Sequence, residues 1–386
     1  MKLYLLFFLV MILSCSGPEE NLSGDSLHIV KVELNNIEIG NISDRFDKVS
    51  YLLLETTEEQ PLVFPYNFQF TANSIFVRDM TMNNLFEFTL DGQVKYVMQP
   101  TGKGPGEYFQ MDGYQVTADH IYIQDTYLKK NLTFTREGAF VKETKNELNN
   151  TAFYVGENFT YYFLNYNPEF EGFNLIRQNH ETLKFDGFLD IPKEVENLTK
   201  YDARNTFVDD SRDNYGYFIM PLSTELIKFD KRNGNIGQSI KFDFGEFAIQ
   251  EEERHLSRSR KNTIIEAKNL VEHIDLFFRT DTEHFIHFRQ GGNKSHFLFF
   301  DDDFNITYHA TSLVNDLDGF ELIVPWTYAN GHLIFRMNSI DFYNKYIKKF
   351  SGQNIRVEPG SIHEFFQNYK EKFLEEKWVL IKVRVK

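Results

Sequence analysis

Residues 102–107 are the part of the sequence most like a ligand-binding loop, since they combine three glycines with a lysine and a glutamate. A phosphate-binding loop places its lysine directly after the second glycine, follows it with serine or threonine, and begins a helix. Here Lys103 precedes the second glycine, and strand-like sequence flanks the run. The pattern therefore favours a tight connection between strands, at a place where only glycine fits. If a ligand is held nearby, we predict that Lys103, Glu107 and Tyr108 contact it.

Two aspartates, Asp79 and Asp125, end equivalent strands in two similar segments of the chain. Paired carboxylates could bind a metal ion, but an aspartate in this position more often caps a turn through bonds to nearby backbone N–H groups. We favour the turn for both residues.

Three histidines, His284, His287 and His296, also invite a metal-binding interpretation. Residues three apart on a strand point to opposite faces, which argues against a shared metal for the first two. The sequence contains neither a Gly-x-Ser-x-Gly elbow nor a His-Glu-x-x-His helix. We therefore predict no catalytic residue, no metal and no cofactor. A site converging from several sheets would leave no local motif.

Aromatic residues near predicted turns could stack on sugar rings. The candidates are Phe109, Trp326 and Tyr328. Packing in the core or between sheets is the simpler interpretation, and we favour it.

The N-terminus has a basic start and then an apolar run of about eleven residues, shorter than the roughly twenty that a membrane-spanning helix needs. Residues 12–15, Ile-Leu-Ser-Cys, resemble the lipobox of bacterial lipoproteins. That resemblance implies a signal peptide at 1–14 and lipid attachment to Cys15, the only cysteine. An ordinary signal peptide is the alternative. Residues 15–27 are predicted to be a flexible tether, and 28–386 a single domain.

The composition narrows the possible functions. The chain has 386 residues, a formal net charge of −15 and no basic stripe, so nucleic acid is not an expected partner. Aromatic residues make up 16% of the sequence, with 40 Phe and 20 Tyr, and rings favour strands.

An internal repeat positions the candidate residues. Residues 67–79 align without a gap on 113–125, and residues 88–92 continue the match on 134–138. Each copy alternates apolar and polar residues in short strands separated by turns, one of which carries Asp-Gly or Glu-Gly. Such a unit cannot cover both faces of its own sheet, so neighbouring units must stack.

Six such units are predicted, the first two at 67–97 and 113–142. Their stacking into a ring predicts an all-β, six-bladed β-propeller. The predicted strands of the later units lie at 153–163, 173–176 and 184–191; at 207, 215–220, 225–230 and 239–244; at 275–279, 284–288, 296–300 and 306–309; and at 324–330, 332–336 and 346–350.

Two stretches break the β pattern. Residues 251–271 predict a helix or a pair of helices, an insertion between blades four and five that could lean over one face. A capping box at Ser361 and Glu364 begins a predicted helix at 361–377. Strands are also predicted at 29–34, 49–54 and 379–385, and one of the last two is expected to complete blade six.

The segment 99–108 contains Gly-Pro-Gly-Glu-Tyr, and residues 54–56 read Leu-Glu-Thr. In these features the chain resembles the TolB-like and NHL-like six-bladed propeller lipoproteins of Bacteroidetes. The resemblance covers most of the mature chain and is strongest over 48–145. It implies a propeller in the cell envelope, as an outer-membrane lipoprotein that faces the periplasm or the cell surface. It implies no agreed activity.

Two functions follow from these observations. The first is a lipid-anchored, monomeric binding or scaffold module for a peptide, a glycan or a partner protein. The alternative is a propeller enzyme, a hydrolase or lyase with a divalent cation in the central channel. The alternative requires acidic, asparagine or histidine side chains from at least three blades to converge.

Overall fold

The computed structural model describes residues 27–192, 202–209, 214–254 and 256–386. Within these ranges, six sheets of four or five strands follow one another along the chain. First strands of neighbouring sheets contact each other around a common axis, as Gly113–Val116 does with Ala152–Val155. The protein is therefore the predicted six-bladed β-propeller. The predicted signal peptide, Cys15 and the tether up to residue 26 lie outside the described residues.

Blades 1, 2, 3 and 5 are four-stranded antiparallel meanders in simple sequential order. Blade 3 divides the predicted strand 153–163 into two strands joined by a turn. The strands are Pro65–Phe70, Ile75–Asp79, Asn84–Phe88 and Val94–Met98; Gly113–Val116, His120–Asp125, Lys130–Thr135 and Phe140–Lys145; Ala152–Val155, Phe159–Phe163, Phe173–Asn179 and Phe185–Asp190; and Val271–Arg279, His284–Gln290, Lys294–Phe300 and Ile306–Thr311.

Blade 4 has a fifth strand. Leu27–Lys31 pairs in parallel with the outermost strand, Ile236–Asp243, and so accounts for the strand predicted at 29–34. The other strands of this blade are Phe207–Asp209, Tyr215–Ile219 and Glu225–Asp230. A short parallel pair, Gly40–Asn41 with Leu313–Val314, continues the N-terminal segment past blade 5.

Both ends of the chain close the ring. Blade 6 consists of Thr327–Ala329, His332–Asn338, the C-terminal strand Trp378–Val385 and, outermost, Phe46–Leu54. One terminal strand was expected here, and both candidates are used. The C-terminal strand lies between two partners, so the ring depends on it from both sides.

The strand directions define two faces. Among the described residues, the connections between blades and the loops between the second and third strands of a blade lie on one side, which we call the upper face. The described turns between strands one and two, and between three and four, lie on the lower face. Because Leu27–Lys31 runs parallel to the last strand of blade 4, its N-terminal end points toward the lower face.

The repeat is visible in the hydrogen bonds. The side chain of Gln69 bonds both the N–H and the carbonyl of Val116 on the next blade, with Val116 N–H donating at 2.7 Å. Its counterpart Gln115 does the same to Val155, at 2.6 and 3.0 Å. A glutamine on an inner strand thus ties each of these blades to the next.

Asp79 and Asp125 are turn caps, as predicted. Asp79 accepts N–H groups from the connection before its blade, including Val63 at 2.5 Å, and from the turn after it, including Thr81 at 2.8 Å. Asp125 accepts from Phe109 at 2.6 Å and from Leu128 at 2.7 Å in the same arrangement. Both carboxylates are fully buried, so each clamps a blade connection to a turn.

Apolar clusters fill the spaces between neighbouring blades. One joins blades 1 and 2 around Phe76, Tyr108 and Phe134, and the largest joins blades 5 and 6 to the helices of blade 6. Sheet faces that one blade leaves bare are covered by the next, which is why the units cannot stand alone.

Five α-helices are described: Ile42–Arg45 (α1), Glu251–Arg254 (α2), Arg258–Lys268 (α3), Ser339–Phe350 (α4) and Ile362–Tyr369 (α5). The pair α2 and α3 is the predicted insertion between blades 4 and 5, and lies on the upper face. Short 3-10 helices occupy Gly245–Phe247 and Lys372–Glu375.

The strand predicted at 346–350 is wrong, because these residues end α4. Asn338 caps this helix by accepting the Ile340 N–H at 2.9 Å. Phe342, Tyr346 and Phe350 then recur every four residues and are all buried, which is helical spacing.

The predicted helix 361–377 is shorter in the structure. The helix α5 begins after Ser361, whose hydroxyl accepts the Glu364 N–H at 3.2 Å, and it ends at Tyr369. A 3-10 turn follows before the closing strand.

Candidate functional site

A cavity of about 400 Å³ opens on the upper face between blades 4 and 5. Its floor is the start of the first strand of blade 5, with Glu272, His273 and Asp275. One wall is α3. The other is the segment 202–206, which leads into blade 4. The two walls belong to upper-face connections and the floor is the upper end of a strand, so the fold itself builds the depression.

The floor strand is irregular. Its pairing with the second strand of blade 5 shifts register twice, between Val271 and Ile274 and between Ile274 and Leu276. Register shifts of this kind re-aim side chains that a regular strand would point alternately inward and outward. Here they bring Glu272, His273 and Asp275 to the same cavity.

Asp275 is the centre of a charged network on the floor. Arg289 binds both of its carboxylate oxygens, each at 3.1 Å. His273 Nε2 lies 3.2 Å from one oxygen and His287 Nδ1 lies 3.4 Å from the other. Burial alone would raise the pKa of Asp275, but the histidine contacts outweigh it and hold this pKa well below its usual value.

His273 is held as a cation. Its second nitrogen, Nδ1, lies 3.5 Å from Glu272 Oε2, so the ring stands between two carboxylates. Burial opposes the charge, yet Asp275 and Glu272 outweigh burial and raise the pKa of His273 to about 10. The buried Lys261 of α3, 4.0 Å from Glu272, adds a further positive group beside the floor.

The helix α3 presents one face to the cavity. Arg258, Asn262 and Glu266 are spaced four residues apart, and all three side chains are exposed. Ile265 is buried between this face and the propeller, which fixes the helix over the depression. Asn293, from the loop after the second strand of blade 5, completes the rim.

The wall segment also reaches across the axis. The guanidinium carbons of Arg204 and Arg336 lie 3.6 and 3.5 Å from the centre of the Trp326 ring. Two guanidinium groups this close to one ring centre must lie on opposite faces of the ring. Burial and the nearby Arg204 lower the pKa of Arg336 to about 10. The Tyr66 hydroxyl of blade 1 bonds to Asp202.

The contacts of the segment 202–206 join blades that are not neighbours in the ring. The Asn205 side chain donates to the carbonyls of Asp275, at 3.2 Å, and Trp326, at 3.4 Å. The described end of the connection before blade 4, residues 202–206, therefore contacts blades 1, 5 and 6 on the upper face beside the cavity.

The three predicted ligand contacts lie elsewhere, in the connection between blades 1 and 2. Lys103 is exposed, and its ammonium lies 5.3 Å from the Phe109 ring centre. Glu107 accepts the Gly104 N–H at 2.8 Å, and its carboxylate occupies the space that a side chain at Gly102 would need. Tyr108 is fully buried and donates to the Asn83 carbonyl at 3.0 Å. Ligand contact by these residues stays a prediction.

The three histidines considered as possible metal ligands each have a different partner. His284 lies 2.9 Å from Asp302, His287 faces Asp275, and His296 bonds His309 at 2.9 Å. His284 and His287 therefore point away from each other, as the strand geometry predicts. In the described ranges, no group of three His, Cys, Asp or Glu side chains is arranged to hold a metal ion.

Of the three aromatic residues considered for sugar stacking, two pack inside the protein and one is exposed. Tyr328 stacks on Phe278 with ring centres 3.7 Å apart, and Trp326 lies between its two arginines, so both pack internally. Phe109 is 46% exposed, and its ring centre lies 4.8 Å from that of the exposed Tyr127 on the upper face.

Sequence reasoning missed the cavity residues. Glu272, His273 and Asp275 form an acidic-histidine run at the start of a strand, which is the only local signal. Their convergence with Arg289 depends on the two register shifts, and no periodic pattern reports those.

A family model described as "6-bladed beta-propeller" (DUF5128) matches residues 18–336. This chain belongs to that family. No curated protein matches the sequence. Among the helices described, none is long and apolar enough to cross a membrane.

Two solved structures show the same fold. A Bacteroides fragilis protein named as exported is 12% identical, with a TM-score of 0.67; the match covers 94% of this chain and 100% of that chain. A member of the DUF4221 family from Bacteroides vulgatus is 9% identical, with a TM-score of 0.51, covering 88% and 97%. At these identities the similarity establishes the fold alone.

Proposed function

We propose that this protein is a lipid-anchored binding module of the bacterial cell envelope, and that the cavity between blades 4 and 5 holds a small polar ligand. The observation that carries the proposal is the cavity itself. It is already formed in the structure, and one of its walls is α3, a helix that belongs to none of the blade sheets. Its volume of about 400 Å³ falls in the range of small-molecule sites, about 300–1,000 Å³. Fold alone would not support this function, whereas a built site does.

The direction of the chain agrees with an anchor. The first described strand, Leu27–Lys31, has its N-terminal end toward the lower face, and the cavity opens on the upper face. A lipid on Cys15 would therefore hold the lower side toward the membrane and leave the cavity accessible. In this proposal the protein is an outer-membrane lipoprotein, and exposed upper-face residues such as Lys103 and Phe109 are a second place for a peptide or protein contact.

The anchor is tested by replacing Cys15 with serine. We expect the wild-type protein in the membrane fraction of its host and the variant in the soluble fraction, because the acyl chains supply the membrane affinity. The measurement is immunoblotting of both fractions. Equal membrane association of the two proteins would contradict lipid attachment at this cysteine.

The cavity is tested by filling it. Asn262→Trp adds an uncharged bulky side chain on the α3 face that lines the cavity, whereas Thr263→Trp places the same side chain next to it but outside the lining. We expect calorimetry with neutral sugars, acidic sugars, amino sugars and dipeptides to detect a ligand for wild type and Thr263→Trp. Its affinity for Asn262→Trp should be at least about tenfold lower, some 1.4 kcal/mol. If neither substitution changes the affinity for the ligand, the cavity is not its binding site.

The enzyme alternative finds no specific support in the geometry. Polar side chains from several blades do converge near the axis, but blades 1 and 6 contribute Tyr66 and Arg336 rather than acidic, asparagine or histidine side chains. On the cavity floor, Asp275 has both oxygens bound by Arg289. We therefore do not advance it.

A further inference from the structure

We infer that the ligand of this cavity is a neutral, hydroxyl-rich molecule, a short uncharged saccharide. The inference rests on the proposed function, because it names the ligand class of the same cavity. Three features of the lining lead to it: compensated charge on the floor, a mixed set of donors and acceptors on α3, and the lack of large aromatic surface.

The charged groups of the floor are paired with each other. Asp275 is bound by Arg289, and His273 lies between Asp275 and Glu272. On the wall, Arg204 pairs with Asp202 at 2.9 Å. An ionic ligand gains most where a site offers a buried charge without a partner, and it loses where it must compete with an existing pair. Glu272, His273, Asp275 and Arg289 each lie within 4.0 Å of an opposite charge, so the floor does not favour an anion or a cation.

The α3 face offers both kinds of hydrogen-bonding group. Arg258 donates, Glu266 accepts, and Asn262 between them can do both. Their formal charges cancel, and the ionic ends are exposed, where isolated charges contribute little to binding. Successive members of this row are one helical turn apart, about 6 Å. A hydroxyl group donates and accepts, so a row of hydroxyls matches this row better than a ligand with only one kind of group.

The lining exposes little apolar surface against which an apolar ligand could pack. Among the described residues around the cavity there is no Phe, Tyr or Trp, and its isoleucines, Ile219, Ile265 and Ile274, are each at most 5% exposed. Burial of apolar area would therefore contribute little, and hydrogen bonds must supply the specificity.

A short zwitterionic peptide is the rival ligand, since Arg258 and Glu266 are opposite charges separated by two helical turns, about 12 Å. Both groups lie at the solvent-exposed rim, whereas the deeper part of the cavity is charge-compensated. The observations therefore favour the saccharide, and the peptide becomes an outcome of the test.

The experiment is isothermal titration calorimetry on the soluble mature chain. The neutral probes are maltose, cellobiose and lactose, the charged probes are glucuronate and glucosamine, and the zwitterion is dialanine. We expect at least one neutral disaccharide to bind. Its affinity should fall about tenfold or more in Asn262→Trp and in Asn293→Ala, stay unchanged in Thr263→Trp, and change less than about twofold when the salt concentration is raised.

The outcomes separate the two proposals. If only a charged probe or dialanine binds, and Asn262→Trp abolishes that binding, the cavity is a ligand site but the saccharide class is wrong. A steep loss of affinity with salt would also overturn the neutral class. If no probe binds, or if binding is the same in wild type and Asn262→Trp, both the saccharide inference and the cavity site are refuted.

Discussion

Replacing Ile381 with aspartate is expected to prevent the whole ring from folding. Ile381 is fully buried on the C-terminal strand, in the cluster that joins blade 6 to blade 5 and to the blade 6 helices. Losing a buried isoleucine costs about 2–5 kcal/mol, and burying an unpaired carboxylate adds several more. That sum is comparable to the total stability of a domain, about 5–15 kcal/mol. Circular dichroism and urea titration should show no cooperative transition.

The same strand supplies the control. Arg384 lies three residues further on, is half exposed, and pairs at 2.7 Å with Asp47 on the outermost strand of blade 6, Phe46–Leu54. Exposed ion pairs contribute little to stability, so Arg384→Ala should unfold with nearly the wild-type midpoint. If Ile381→Asp retains a cooperative transition close to that of the control, the strand does not hold the ring closed.

Ring closure also shows why blade 6 was only partly predictable. The strands Phe46–Leu54 and Trp378–Val385 are apolar runs that any sheet could use, and pattern alone does not say that they pair with each other. Their pairing follows from a geometric need, because an open ring would leave an unprotected strand edge. The repeat predicts the units, and closure decides which distant strand completes the last one.

The failure at residues 346–350 has a local cause. Tyr346 and Phe350 are aromatic, and aromatic residues favour strands when only a short window is considered. The period becomes visible only when Phe342 and the Asn338 cap are included. Blades 1 and 2 were predictable for the opposite reason, since two aligned copies report strand, turn and cap together. Gly92 and Gly138, for example, occupy the same turn with φ near +89° and +83°.

The cavity was beyond sequence reasoning for a different reason. Its parts, Asp202, Arg258, Asp275 and Asn293, come from four separate segments, and each alone looks like an ordinary polar surface residue. Only the register shifts of the floor strand and the docking of α3 bring them together. A site assembled in this way has no period and no motif.

The His273 network should make the protein less stable as the pH rises from about 6.5 to 10. The folded state raises the pKa of His273 from its ordinary value near 6.5 to about 10. A raised pKa stabilises the fold fully below 6.5, and this contribution is lost as the pH approaches 10. We expect the free energy of unfolding, from urea titration at intervals between pH 6.5 and 10, to fall by about 2–4 kcal/mol. His296 and His309, with pKa values lowered to about 3 and about 4, cannot produce this fall, because a lowered histidine pKa makes the protein more stable, not less, as the pH rises through the unfolded value near 6.5.

Two substitutions assign the slope to the network. His273→Gln removes the titrating group and should be less stable than wild type at pH 6.5 but nearly flat up to pH 10. His120→Gln, at a lower-face turn of blade 2, should keep the wild-type slope. Asp275 affects stability only at acidic pH. Its lowered pKa gives stability that is present above pH 4 and is lost only in stronger acid, so Asp275 does not contribute to the fall in stability at alkaline pH. A flat profile for wild type would mean that the imidazolium is not held between the two carboxylates, and the compensated floor on which neutral-ligand recognition depends would have to be abandoned.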